Sequence, residues 1–193
     1  MNSVSTDPLP SPRERLLRVA YELFSNRGVR DVGVNEVIEQ SGVAKATLYK
    51  HFPSKDDLVE AFLQRREQAW TLDIIEAEAL RRGENPREQL LAIFDVFDDW
   101  FHSEGFEGCS FINVLLEMGK EHPLGQSSIV YLENIRGIVR RLAAEAGIAD
   151  PADFAHSWHI LMKGSIIAAG EGDVLAAQRA KKMARSLIDA HAA

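Results

Sequence analysis

Disulfides, long apolar runs and an excess of positive charge are all absent from this sequence. A single cysteine, Cys109, excludes a disulfide within the chain of 193 residues. No stretch approaches the roughly 20 apolar residues that a membrane-spanning helix requires. Lys and Arg number 22 against 29 Asp and Glu, a formal net charge of -7. We therefore predict a cytoplasmic globular protein without a membrane segment, which binds polyanions only through a concentrated basic patch.

Motifs of common catalytic and cofactor sites are absent as well. The sequence contains no phosphate-binding glycine loop, no paired-carboxylate motif and no pattern typical of a catalytic triad. We predict that the protein is not an enzyme and carries no cofactor. The first ten residues also lack the basic start and apolar run of a signal peptide, and they are expected to form a loose leader.

Helix signals dominate the remaining sequence, and no strand pattern is found. Ser11, Pro12 and Glu14 form a helix start, and Ser54 with Asp57 supplies a capping box for a long helix that ends near Arg82. Glycine and proline then separate further apolar, helix-periodic segments. These signals predict an all-α fold of about nine helices, in which three short helices precede a long one.

The segment VNEVIEQSGVAKATLYKHF, residues 34–52, predicts two short helices joined by a turn at Gly42. This is the arrangement of a helix-turn-helix, whose second helix lies in the major groove of DNA. On the second helix Ala44, Leu48 and Phe52 fall four residues apart and are expected to face the core. The opposite face then carries basic, aromatic and small side chains.

Residues of this segment are predicted to contact double-stranded DNA. Lys45 and Thr47 are placed for base edges, Tyr49, Lys50 and His51 for phosphates, and Lys55 adds charge at the start of the next helix. The predicted contact set is Asn35, Lys45, Ala46, Thr47, Tyr49, Lys50, His51 and Lys55. The alternative is a solvated helix turn with three surface lysines, since glycine-turn helix pairs also occur in enzymes.

Residues 42–58, GVAKATLYKHFPSKDDL, closely resemble the signature of the TetR/AcrR family of transcriptional regulators. The resemblance extends upstream through AYELFSNRGVRDVGVNEVIEQSG and covers residues 13–62. Val32 and Gly33 stand where the family usually has a threonine pair, and Ile38 stands where a small alanine is typical. Capping and packing of that helix are therefore expected to differ from the family pattern.

The resemblance implies a helix-turn-helix DNA-binding domain over 11–53, after a leader over 1–10, and a larger helical domain for effector binding and dimerisation over 54–193. It also implies a dimeric repressor that binds a palindromic operator and is released by a small, largely apolar effector. A regulator that has lost its effector response and represses constitutively is the alternative within this class.

Aromatic residues of the larger domain are candidates for an effector pocket. EGCSFINVLLEM, residues 107–118, resembles a pocket-lining segment of some family members. The predicted ligand-binding set is Phe94, Phe97, Trp100, Phe101, Cys109, Phe111, Asn113, Trp158 and His159, and plain core packing is the alternative for each aromatic. A rival function is a metal-dependent sensor or enzyme that uses His156, His159 and Cys109, although no metal-ligand spacing supports a metal site.

Two helices near 151–190 are predicted to pair with their copies in a homodimer. The first offers the small residues Gly164, Ser165, Ala168 and Ala169. The second carries an apolar seam formed by Ala176, Ala180, Met183, Ala184, Leu187 and Ile188. The alternative is that both seams pack within one subunit.

Overall fold

The computed structural model describes residues 10–191, and its regular elements in that range are helices, as the sequence predicted. The leader predicted for 1–10 lies outside the described residues except for Pro10, which is exposed. The helices are α1 Pro12–Arg27, α2 Val34–Ser41, α3 Lys45–His51, α4 over 55–82, α5 Pro86–Phe101, α6 Ser110–Met118, α7 Pro123–Glu145, α8 Pro151–Gly170 and α9 Ala176–His191. None of the helices in this range is long and apolar enough to cross a bilayer.

Local capping explains where the early helices begin and end. The Ser11 hydroxyl accepts a hydrogen bond from the Glu14 amide at 3.2 Å. Ser54 and Asp57 form the predicted capping box, since the Ser54 amide donates to Asp57 Oδ2 at 2.9 Å and the Asp57 amide donates to Ser54 Oγ at 3.1 Å. Gly42 ends α2 in the left-handed conformation, with φ 62°, which glycine adopts without steric cost.

The start of α2 differs from these capped helices. Gly33 is its first flanking residue and provides no side-chain hydrogen bond to the helix. This agrees with the expectation from the missing threonine pair. The entry of α2 is therefore held by packing rather than by a cap, and Val32 and Val37 on either side of it are fully buried.

The long helix α4 changes its winding along its length. It is α-helical over Lys55–Arg66, π-helical over Glu67–Glu76 and α-helical again over Ala77–Arg82. A π-helix is usually a single-turn bulge, and here it extends over 10 residues. The sequence predicted one continuous helix, and it contains no proline or glycine that would indicate the change from α-helical to π-helical winding.

The chain divides into two compact units, and the division falls between Phe62 and Leu63 inside α4. The first unit contains α1, α2, α3 and the start of α4. Phe62 is at its centre, where the rings of Tyr21 and Phe24 meet it edge to face at 5.3 and 5.6 Å. On α1 the apolar residues Leu16, Ala20 and Phe24 are buried, while Leu23 is half-buried.

In the second unit α5 packs against α4, α7, α8 and α9, and α9 also packs along α8. This arrangement corrects the predicted dimer seam. Ala176, Ala180, Ala184 and Ile188 are at most 3% exposed because they pack within their own chain. Of the other predicted seam residues, Met183 is exposed and Leu187 is half-buried. The exposed face of α9 is therefore not the alanine face that was predicted to pair with a second copy.

Candidate nucleic-acid interface and ligand cavity

The short helix α3 is anchored by one of its own apolar residues and by the apolar residue that directly follows it. Leu48 and Phe52 are 0% and 2% exposed, and the Arg13 guanidinium of α1 lies 5.2 Å from the centre of the Phe52 ring. Ala44, which was predicted to face the core, is instead an exposed residue flanking the helix in an extended conformation. The neighbouring Val43 is buried in its place, because the turn after Gly42 brings that side chain inward.

The predicted DNA-contacting residues lie on α2, on α3 and at the start of α4, all within the first unit. Exposed side chains belong to Asn35, Lys45, Ala46, Tyr49, Lys50 and His51, whereas Thr47 and Lys55 are half-buried. Tyr49 leaves 43% of its surface exposed although it is a large aromatic residue. With Leu48 and Phe52 turned inward, α3 therefore presents a face with two lysines, a histidine and an aromatic ring.

The positive charge of this face is not neutralised by nearby carboxylates. Glu36 pairs with Arg27 at 2.5 Å, and Asp57 is engaged by the capping Ser54. Lys45, Lys50 and Lys55 form no ion pair with any residue in the described range 10–191. These lysines are thus free to pair with an anionic surface such as a phosphate backbone.

A cavity of about 500 Å³ lies in the second unit, between the start of α6 and the end of α8. Cys109 and Asn113 of the predicted ligand-binding set border it. Its other walls include Phe106 and Ile112 on one side and Ile166, Ile167 and Gly170 on the other. No local pattern beyond helical spacing could identify the α8 residues as cavity walls, because their position opposite the start of α6 depends on long-range packing.

The predicted aromatic residues form a packed cluster and do not border this cavity. Phe94, Phe97, Phe111 and Trp158 are at most 1% exposed. The Phe94 and Trp158 rings lie 5.3 Å apart, and the Phe97 and Trp100 rings 5.6 Å apart. Phe101 is half-buried against Phe106, at 5.1 Å. Their contacts are those expected for core packing.

A smaller cavity of about 250 Å³ adjoins this cluster at Trp100. Trp70 and Ile74 of the π-helical stretch border it, and the Trp70 and Trp100 rings lie 4.5 Å apart. The Arg66 guanidinium lies 5.1 Å from the centre of the Trp70 ring. The π-helical winding therefore brings its aromatic residue onto α5.

His159 is a strongly perturbed titratable group of the second unit. The residue is 4% exposed, and its Nδ1 is buried without a hydrogen-bond partner among the described residues. Burial lowers the pKa of the imidazole to about 3, and the nearby charges of Lys163, Arg136 and His156 act in the same direction. The ring is therefore neutral at physiological pH.

Lys163 and Cys109 share this environment. Burial lowers the pKa of the Lys163 ammonium, and Arg136 lowers it further. Burial raises the pKa of the Cys109 thiol, although Arg66 and Lys163 are close enough to oppose that shift. Cys109 is consequently a neutral thiol rather than a reactive thiolate. Lys163 was missing from the sequence-based prediction, yet it lies one helical turn after His159, and that spacing could have identified it.

The proposed metal-binding combination does not come together in the structure. His156 is exposed, whereas His159 is buried and Cys109 belongs to the segment before α6. Among residues 10–191 no three His, Cys, Asp or Glu side chains are grouped as metal ligands would be.

An exposed apolar surface lies on the outer side of α8 and α9. Ile160 is 70% exposed and Met183 is 54% exposed. Both border a shallow groove of about 470 Å³, together with Leu161 and Leu187. Large exposed apolar side chains that share one groove are typical of a protein interface.

Comparisons with known proteins agree with this geometry. The sequence profile of the bacterial regulatory proteins of the TetR family matches residues 16–62. The transcriptional activator FasR of Mycolicibacterium smegmatis is 35% identical over 101 residues, which cover 51% of this chain and 45% of FasR. The match thus spans less than half the length of that relative.

Two solved structures match nearly the whole chain. A TetR-family transcriptional regulator from Streptomyces coelicolor has a TM-score of 0.85 at 25% identity, covering 94% of this chain and 96% of its own. A regulator from Streptomyces avermitilis described as a putative TetR-type transcriptional regulator has a TM-score of 0.84 at 29% identity, covering 94% and 98%. The resemblance therefore extends over both compact units.

Proposed function

Because the chain belongs to the TetR family of transcriptional regulators and carries its helix-turn-helix DNA-binding domain, we propose that it is a dimeric repressor released from a palindromic operator by a small effector. The observation that carries this proposal is the exposed face of α3. Three lysines on or beside it have no carboxylate partner in the described range, while Leu48 and Phe52 anchor the helix from behind.

DNA recognition is assigned to the eight predicted residues on α2, α3 and the start of α4. Lys45 and Thr47 would reach base edges, and Tyr49, Lys50, His51 and Lys55 would hold phosphates. In a chain with a net charge of -7, this face must supply most of the attraction to the duplex. Because DNA is the partner, we place the protein in the cytoplasm.

Dimerisation is assigned to α8 and α9, through their exposed outer face rather than the buried alanine seam. A two-fold axis would bring Ile160 and Met183 of each subunit against the same surface of the other. Two α3 helices would then read half-sites about 34 to 36 Å apart on one duplex.

The dimer proposal is tested by replacing Ile160, which is 70% exposed, with aspartate. Ile160→Asp should give a monomer by light scattering at micromolar concentration, since each interface would bury two new charges. Leu116→Asp is the matched control, because Leu116 is 76% exposed on α6, away from this groove. An Ile160→Asp protein that remains dimeric would refute this interface.

Effector response is assigned to the second unit, and its cavity of about 500 Å³ suits a small, largely apolar molecule. We infer that the effector binds more tightly to a dimer whose α3 helices have the wrong separation for DNA. Operator affinity then falls by the ratio of the effector's affinities for the two states. A repressor without an effector response would keep its operator affinity in the presence of every ligand that fits.

The experiment that tests DNA binding is selection of bound duplexes from a random pool. A palindrome with half-sites one helical turn apart is the expected result, and no enrichment of any sequence would refute the proposal. FasR is named as an activator, so the direction of regulation is measured separately. Transcription in vitro from a promoter that carries the selected palindrome should fall when the protein is added, and a rise would reassign it as an activator.

A further inference from the structure

We propose that Phe106, Trp100 and Trp70 form an aromatic relay that couples the large cavity of the second unit to α4. A ligand that fills the cavity displaces the Phe106 ring, Trp100 passes the displacement to Trp70, and the winding of the π-helical stretch of α4 changes. This inference deepens the proposed effector response and rests on it. It names the residues through which a bound ligand lowers operator affinity.

Phe106 belongs both to the cavity wall and to the aromatic cluster of α5. It borders the cavity of about 500 Å³, and its ring lies 4.9 Å from the Trp100 ring and 5.1 Å from the Phe101 ring. The residue lies in the link between α5 and α6, where its amide donates a turn hydrogen bond to the Ser103 carbonyl at 3.3 Å. Because this backbone is not part of a helix, a ligand can move Phe106 more easily than the cavity walls on α6 and α8.

Trp100 connects Phe106 to the π-helical stretch. Its side chain extends from α5 and is 8% exposed, and its ring lies 4.5 Å from the Trp70 ring. The Arg66 guanidinium lies 5.1 Å from the centre of the Trp70 ring and 5.9 Å from the centre of the Trp100 ring, so one cation contacts both rings. A displaced Trp100 ring therefore changes the contacts of two residues of α4.

Free space beside these rings allows them to move. The smaller cavity of about 250 Å³ is bordered by Trp70, Ile74 and Trp100, and Val96 forms part of its wall on α5. In a close-packed interior a bulky ring is confined to one position, whereas a neighbouring cavity offers a second one. The relay can therefore shift between two packed arrangements, as bistable elements of switching proteins do.

The π-helical stretch is the part of α4 that can respond to this shift. Extended π-helical winding is rare, and here it covers Glu67–Glu76. Thr71 within it is fully buried, and its hydroxyl has no hydrogen-bond partner among the described residues, which makes this winding less stable. A shift of the adjacent Trp70 can therefore change the winding. Since α4 begins at Lys55 in the first unit, the change acts on a helix that the DNA-binding unit shares.

A double-mutant cycle tests the relay without the natural effector. Ala169 borders the cavity on α8, and Ala169→Phe places a ring in that space. This variant should lose binding of N-phenyl-1-naphthylamine, an apolar probe that becomes fluorescent in such a cavity. Fluorescence anisotropy of the full chain with the selected palindrome should then show about tenfold weaker operator binding than wild type, within the usual range of allosteric coupling.

Trp70→Leu should remove this coupling while leaving operator binding itself intact. On its own, Trp70→Leu should bind the palindrome within twofold of wild type, because Trp70 belongs to the second unit. In the Trp70→Leu background, adding Ala169→Phe should weaken operator binding less than twofold. Trp70→Phe retains an aromatic ring at this position and should restore most of the tenfold effect.

Tyr131→Leu is the matched control. Tyr131 is half-buried like Trp70, but it lies on α7 and its ring stacks on Phe111 at 5.1 Å, outside the relay. The tenfold effect of Ala169→Phe should persist in this background. The proposal is overturned if the effect survives in Trp70→Leu, if Tyr131→Leu abolishes it equally, or if Ala169→Phe binds the operator as wild type does.

Circular dichroism shows whether Ala169→Phe is folded. If it is not, saturating N-phenyl-1-naphthylamine takes the place of the added ring. The probe should then weaken operator binding of wild type about tenfold and that of Trp70→Leu less than twofold, and equal effects on the two proteins would overturn the proposal.

Operator binding by wild type separates this inference from the proposed function. If wild type selects no palindrome, the repressor proposal itself fails. If wild type binds its palindrome and the cycle shows no coupling through Trp70, only the relay is wrong.

Discussion

Acidification should destabilise the second unit through His159, and the effect can be calculated from its burial. The ring is 4% exposed and its pKa is lowered to about 3 in the folded protein, whereas an unfolded histidine has a pKa of about 6.5. Between these two values the unfolded chain binds one proton more than the folded chain. The free energy of unfolding therefore rises with pH across this window and falls as the pH is lowered below about 6.5.

The expected loss is a little over 1 kcal/mol for each pH unit, or about 2 kcal/mol between pH 6.5 and pH 4.5. Lys163, Arg136 and His156 all lie near the ring and each disfavours its protonated form, so no neighbouring charge reverses the sign. Carboxylates elsewhere also titrate in this range. The contribution of His159 is therefore the difference between wild type and His159→Asn, whose side chain does not titrate.

Urea unfolding followed by tryptophan fluorescence measures this difference. The three tryptophans of the sequence, Trp70, Trp100 and Trp158, all belong to the second unit and report on that unit. Protein concentration is held constant, because dissociation of a dimer would contribute to the measured stability. The pH dependence should be shallower in His159→Asn by the amount given above. Equal pH dependence in the two proteins would show that the ring is protonated inside the fold, and the reasoning would be refuted.

Three further predictions concern other residues. Thr71→Val should raise the free energy of unfolding by about 1 kcal/mol in the same assay, because the Thr71 hydroxyl is fully buried without a hydrogen-bond partner in the described range. A decrease of about 1 kcal/mol in the free energy of unfolding would instead show that the hydroxyl makes a hydrogen bond. Phe52→Ala should destabilise the first unit by about 3 to 5 kcal/mol in urea unfolding followed by circular dichroism, since it empties the site under α3; a change below 1 kcal/mol would contradict this. Lys50→Ala should weaken binding to all duplexes alike and reduce the slope of log affinity against log salt by about 1.8, or about 0.9 for each subunit of the dimer. A change in sequence preference would instead make Lys50 a base-reading residue.

The helices and their ends follow largely from local chemistry. The capping interactions join backbone groups and side chains only a few residues apart, so they can be predicted from the sequence alone. They are made by Ser11, by Gly42 and by the pair Ser54 and Asp57. The helix-turn-helix could be predicted for this reason, together with the apolar residues that anchor it. Ala44 is the exception, because it flanks α3 in an extended conformation and the four-residue spacing does not apply there.

Packing partners could not be predicted in the same way. The α9 seam from Ala176 to Ile188 is apolar, and burial of apolar surface has no direction, so its pattern cannot distinguish its own chain from a second copy. For the aromatic residues of α5, the sequence could not distinguish side chains packed in the core from side chains that line a cavity. The cavity itself lies between the start of α6 and the end of α8, and its walls are formed by residues more than 50 positions apart in the sequence. The π-helical stretch of α4 has no local signal in the sequence at all.

Fluorescence anisotropy with the selected palindrome tests the central proposal, DNA recognition by α3, most directly. Wild type should bind with an affinity that falls steeply as salt is raised, and Lys120→Ala should bind equally well. The double variant Lys45→Ala, Tyr49→Ala should lose at least about a hundredfold in affinity, because two contacts are removed from each subunit. Wild-type affinity in the folded double variant would contradict the assignment of α3 as the recognition helix.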